Sequence, residues 1–66
     1  MNIILYTTHC PRCTVLTRKL NAKGIQYIEC NDIEQMKNKG IDQVPVLEID
    51  GQLLNFSEAN AWVNEQ

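Results

Sequence analysis

Cys10-Pro11-Arg12-Cys13 is the segment of this chain best equipped for chemistry. Two thiols three residues apart become neighbours on a helix surface, poor spacing for a structural staple and good spacing for exchanging electrons with each other. Pro11 marks the start of that helix, because proline's missing N–H would have no partner at the first helical position anyway. Cys10 then stands at a helix N-terminus, where unpartnered N–H groups and the macrodipole stabilise an anion. Arg12 adds a positive charge on one side, and His9 a ring that can become imidazolium on the other. Such surroundings favour the thiolate, which is the attacking species in thiol–disulfide exchange. Cys10 is therefore the natural nucleophile. Cys13, one turn inward, can attack the resulting mixed disulfide and release the reduced product.

Other uses of the same residues compete with this one. A C-x-x-C pair is half of a zinc site, but a closed site needs four ligands. The remaining candidates are Cys30, after a gap of 16 residues, and His9, which adjoins Cys10 awkwardly. A metal or iron–sulfur carrier is thus one alternative. A non-catalytic peptide-binding module using the Val44-Pro45 edge is another. Taken singly, His9 reads as a solvated loop residue and Cys30 as a small buried hydrophobe, with a regulatory or dimer-forming thiol as its alternative. Tyr6 and Trp62 read as core. Lys37 and Lys39 read as an exposed helix face, with a weak carboxylate-binding role as the alternative.

The elements that must hold the cysteines follow from the punctuation. Ile3 to Tyr6 is a continuous apolar run, as in a strand covered on both faces. From Pro11 to Lys23 the apolar positions Cys13, Leu16 and Leu20 recur at helical spacing, and Gly24 supplies a left-handed stop. Ile25 to Cys30 reads as a second strand. Asn31 or Asp32 caps a short helix carrying Ile33 and Met36, closed by Gly40. Val44 to Ile49 is the next strand, interrupted at its start by Pro45, and Asp50-Gly51 turns it back into Gln52 to Leu54. Ser57 caps a last helix with Ala59, Trp62 and Val63 on its apolar side. The result is an α/β domain of order β-α-β-α-β-β-α. It has a four-stranded mixed sheet, parallel between the first two strands and antiparallel at the hairpin, and three helices.

At 66 residues the chain holds one domain, spanning 1–66. Six basic and eight acidic residues give a net charge of −2, without the basic surface on which nucleic-acid binding relies. The hydrophobic fraction of 44% belongs to a globular protein. No apolar run approaches the ~20 residues of a membrane span. The first residues, Met1-Asn2-Ile3-Ile4-Leu5, lack a basic n-region, so a cytoplasmic monomer is expected.

Taken together, the Tyr6-to-Cys13 segment with its C-P-x-C motif, Val44-Pro45 and the Ile49-Asp50-Gly51 hairpin resemble the glutaredoxin family of the thioredoxin fold. The likeness in element order covers essentially the whole chain. It implies a dithiol reductase with Cys10 as nucleophile and Cys13 as resolver, assisted by Pro11, Arg12 and His9. It implies a substrate-facing surface with Thr8, Val44, a cis Pro45 and Glu58. From the residues alone, Val44-Pro45 is open between a trans proline ending a loop and a cis bond; a cis bond would offer the Val44 backbone to an extended peptide.

The family's glutathione groove uses a basic residue before the cysteines, Thr-Val-Pro, and Gly-Gly followed by an acid. Here Thr7, Thr8 and His9 stand in place of the basic residue, Gln43 in place of the threonine, and Asn55-Phe56 in place of the glycines. Glu58 is left to meet the glutathione amine. The short NrdH-type redoxins, which take electrons from thioredoxin reductase, show the same erosion but lack Pro11. The expected partners are therefore a protein disulfide as substrate, and glutathione or the flavoprotein thioredoxin reductase as reductant. No bound cofactor is expected.

A Cys10–Cys13 disulfide would close a very short loop and so remove little chain entropy from the unfolded state. Reducing it should shift the urea midpoint only slightly; a collapse of the midpoint on reduction is the contrary result.

Overall fold

Glycine-terminated helices set the path of the chain. The computed structural model describes residues 2–8 and 10–66. The elements run β1 (Ile3–Tyr6), α1 (Pro11–Ala22), β2 (Ile28–Cys30), α2 (Ile33–Asn38), β3 (Val46–Ile49), β4 (Gln52–Leu54) and α3 (Phe56–Asn64). The strands form one mixed sheet in the order β2-β1-β3-β4. β1 pairs parallel with β2, with Ile4 opposite Ile28, and antiparallel with β3, with Leu5 opposite Leu47. The β3–β4 hairpin completes the other edge. This is the α/β architecture the sequence implies.

α1 and α2 end by the same device, written twice in the sequence as Lys-Gly-Ile. After α1, Gly24 takes φ +68 and donates to the Asn21 carbonyl, while Ile25 N–H reaches back to Leu20. After α2, Gly40 takes φ +75 and donates to Lys37, while Ile41 N–H reaches Met36. Each is a Schellman motif, whose following apolar residue is turned inward against the helix it closes. This corrects the second strand. The sequence starts it at Ile25, but Ile25 is used to finish α1, and pairing begins only at Ile28.

Two further boundaries shift for local reasons. The third strand starts at Val46, not Val44, and the Val44-Pro45 peptide before it is cis. The last helix is capped by Asn55, not Ser57. Asn55 Oδ1 accepts from Glu58 N–H at 2.8 Å, and Glu58 Oε1 accepts from Asn55 N–H at 3.0 Å. That reciprocal box satisfies two otherwise orphaned donors; a cap at Ser57 would have Asn60, not Glu or Gln, three residues on. For α2, Asp32 is the cap of the two candidates, accepting from Glu34 and Gln35 N–H.

Strand alternation divides the apolar residues between two faces. Ile3, Leu5 and Leu47 pack with Leu16 and Leu20 of α1 and Ala59 and Val63 of α3. Tyr6 packs on the opposite face with Met36 of α2 and Ile41. Trp62 packs against the first cluster, while Cys30 is only half-buried beside the second, its thiol donating to Gln35 Oε1 at 3.4 Å, because β2 is an edge strand. Helices cover both faces, which is why β1 is apolar at every position.

A polar clasp secures the α2 face. Lys39 Nζ lies 2.9 Å from Glu48 Oε1, the Tyr6 hydroxyl donates to the same oxygen at 3.2 Å, and the Lys39 ammonium sits 5.9 Å from the Tyr6 ring centre. Lys39 is thus a tie between α2 and β3. Burial, with the Glu48 charge added, holds the Tyr6 phenol above the usual tyrosine range despite the hydrogen bond from Lys39. Hydrogen bonding to Glu48 and Tyr6 likewise raises Lys39.

Raised folded values mean that the stabilisation is complete below the unfolded values near ~10 and is lost as pH climbs through the folded ones. Urea midpoints measured above about pH 10 should fall as the pH is raised further. Tyr6→Phe should cost about 0.5–1.5 kcal/mol at neutral pH and make the alkaline decline shallower. An unchanged alkaline slope in Tyr6→Phe would refute the clasp as its source.

Candidate functional site

The dithiol is built by a strand running directly into a helix. β1 ends at Tyr6, and a short connection delivers Cys10 to the N-cap of α1 with extended backbone (φ −72, ψ 168). Pro11 occupies the first turn, as its missing N–H allows. The Cys10 sulfur accepts from Cys13 N–H at 3.3 Å, doing the work of a Ser or Asp cap oxygen. Thr14 N–H closes the first helical turn on the Cys10 carbonyl at 3.0 Å.

Both cysteines are free thiols, and their sulfurs lie 2.8 Å apart. Their exposure differs sharply: Cys10 is half-buried, whereas Cys13 is 1% exposed. Only Cys10 can meet a sulfur arriving from solvent. Burial opposes a charge on Cys13, but hydrogen bonds from the Cys10 thiol, the Thr7 side chain and the Thr8 and Cys10 backbone outweigh it, holding Cys13 below the ordinary thiol range. At 2.8 Å the two sulfurs are within hydrogen-bonding distance, one thiol donating to the other. Access favours attack from the outer sulfur, Cys10, with Cys13 behind it.

The expected neighbours are distributed unevenly. Arg12 is exposed, and its guanidinium sits 5.8 Å from the centre of the Phe56 ring, at cation–π distance. It therefore bridges the starts of α1 and α3 as well as flanking Cys10. His9 lies outside the described residues. Among the described residues, no acidic side chain occupies the first turn of α1 to oppose an anion there.

Thr8 and Val44 line one cleft of about 400 Å³, together with Ile33, Met36 and Ile41. Ile33 is 56% exposed and forms part of the rim. Among the described residues, no backbone hydrogen bond uses the N–H or C=O of Val44. Pro45 is buried beneath. A second cleft of about 230 Å³ shares Ile41, Asp42 and Gln43 with the first and reaches Asn55 and Glu58. Glu58 thus faces a cleft, as the glutathione expectation requires, but one of its oxygens is occupied by the α3 capping box.

Two residues near the dithiol were not singled out from the sequence. Phe56 holds Arg12, and no local pattern marks it. Thr7 is buried beside Cys13, and the alternation does mark it: Ile3, Leu5 and Thr7 share one strand face. Among the described residues, no three His, Cys, Asp or Glu side chains gather as a metal-ion cage, and no helix is long and apolar enough to cross a membrane. Comparison with family models, curated proteins and solved structures finds no match to this chain.

The double duty of Glu58 can be separated by substitution. Glu58→Ala should destabilise the protein by about 0.5–2 kcal/mol in urea unfolding through the lost cap partner, whereas Glu58→Gln, still able to close the box, should stay close to wild type. Equal losses in both variants would assign the stability to the charge instead.

Proposed function

We propose that the chain is a small dithiol oxidoreductase of glutaredoxin type that reduces protein or glutathione-mixed disulfides. The observation that carries the reading is the unequal dithiol: two free thiols 2.8 Å apart, one accessible at a helix N-cap and one buried behind it. In the first step the Cys10 thiolate attacks a substrate disulfide. A Cys10–substrate S–S bond forms, the substrate S–S bond breaks, and the first substrate sulfur leaves as a thiolate that takes a proton from water. In the second, Cys13 attacks Cys10, the Cys10–Cys13 bond replaces the mixed disulfide, and the second substrate sulfur departs. The substrate gains two electrons and the dithiol loses two. Glutathione or the flavoprotein thioredoxin reductase returns them.

The Val44 backbone supports the same reading. Val44 lines the cleft that begins at Thr8, and among the described residues its N–H and C=O have no backbone partner, so an extended peptide carrying the reacting sulfur has groups to pair with there. Such a dithiol works as a reductant in the reducing cytoplasm. It needs no partner subunit, and a monomer suffices for both steps.

The test is a pair of coupled assays on one disulfide substrate, driven by glutathione with its reductase or by thioredoxin reductase. One of the two should sustain turnover. Cys10→Ser should abolish it, and Cys13→Ser should accumulate the Cys10 mixed disulfide, visible by mass. Failure of both systems, or turnover that survives Cys10→Ser, sinks the proposal.

A further inference from the structure

Cys13 carries a difficulty that Cys10 does not. It is 1% exposed, where desolvation disfavours a charged sulfur, yet resolution needs a thiolate there. What faces it from behind is the end of β1. Ile3 and Leu5 point into the core between α1 and α3, and Thr7, two residues on, follows them at 0% exposure. It is the one buried polar side chain among the described residues. Thr7 and Cys13 line a common cavity of about 270 Å³ behind the dithiol.

Three hydroxyls border this cavity, and they are used differently. Thr14 donates to the Cys10 carbonyl at 3.3 Å and Thr17 to the Cys13 carbonyl at 2.9 Å, the ordinary fate of a helical threonine. Thr7 comes from the strand side, fully buried where the cavity meets Cys13. A neutral thiol is a weak acceptor, so a buried hydroxyl gains little from it; a thiolate makes that bond charge-assisted and about twice as strong. The charged groups around the cavity are Arg18 from α1 and Glu29 from β2, one of each sign, with the Cys10 thiol in front.

On the dithiol reading above, we propose that Thr7 is a positioning residue for the resolving step: its hydroxyl donates to Cys13 Sγ and holds that sulfur as the anion that attacks Cys10. Thr7 acts on the second exchange only, in which the Cys13–Cys10 bond forms, the Cys10–substrate bond breaks and the electron pair leaves on the substrate sulfur.

The experiment is a single turnover with a limiting aromatic disulfide, dithiobis(nitrobenzoate), in a Cys30→Ser background. The first coloured thiolate reports attack by Cys10 and the second reports resolution by Cys13. Thr7→Val, close in shape and without a donor, should leave the first phase within about twofold. It should slow the second about tenfold, the equivalent of about 1.4 kcal/mol, and move that phase's pH profile upward. Thr7→Ser, which keeps the hydroxyl, should restore the second phase to within about threefold of the parent. A Thr7→Val second phase as fast as the parent overturns the proposal, and so does a Thr7→Ser second phase as slow as that of Thr7→Val. Should Thr7→Val not fold, Thr7→Ala against Thr7→Ser gives the same contrast. A chemical disulfide needs no reductase, so these phases judge Thr7 even if both coupled assays fail and the oxidoreductase reading falls.

Discussion

A sulfur acting as a helix cap is the contact on which the rest of the site depends. Cys10 takes the position where Ser, Asp or Asn usually receives the first free N–H groups, and the N–H it receives belongs to Cys13. One hydrogen bond therefore fixes both thiols. An N-cap residue stands at the rim of a helix and its third following residue points inward, so the pair is divided into an outer and an inner sulfur by helix geometry alone. The 2.8 Å separation and the contrast in burial follow from that division. Pro11 reinforces it, since it fits the first turn and nowhere else in the helix.

β1 carries the second constraint. It is paired on both sides, parallel to β2 and antiparallel to β3, and both its faces are buried. Its alternation sends Thr7 toward Cys13 and Tyr6 toward α2. Cys30, opposite Tyr6 in register, is consequently on the far face from Cys13. A domain of this length has only about 3–10 kcal/mol of net stability, so a tie such as Lys39–Glu48–Tyr6 is a sizeable share of what holds the α2 face. The clefts beside Val44 are bounded by that same face, which links the stability of α2 to the shape of the groove.

Most of the fold is legible in local chemistry, and the misplacements have local causes. The order of elements, the α1 core positions Cys13, Leu16 and Leu20, and the Asp50-Gly51 turn need no tertiary information, because periodicity and positive-φ residues specify them. Ile25 is misread as strand because an isoleucine after Gly24 looks the same whether it starts a ladder or closes a helix. Ser57 is misread as a cap because the stronger signal, Asn55 with Glu58 three residues on, straddles Phe56 and resembles the end of a strand.

The sequence by itself determined the pair of thiols, their helix-start context and the α/β frame that presents them, since those depend on spacings of a few residues. Only the tertiary structure decided what surrounds each sulfur. The burial of Thr7 beside Cys13, the stacking of Arg12 on Phe56, the cis Val44-Pro45 peptide and the commitment of Glu58 to its own helix join strand ends, helix starts and loops. Arg12 and Phe56 are distant along the chain, Thr7 and Cys13 lie on either side of the turn from β1 into α1, and no residue pattern records who will be next to whom. For the others the conformation is chosen among several that the same few residues allow. What made the chain's chemistry readable was proximity in sequence; what tunes it is proximity in space.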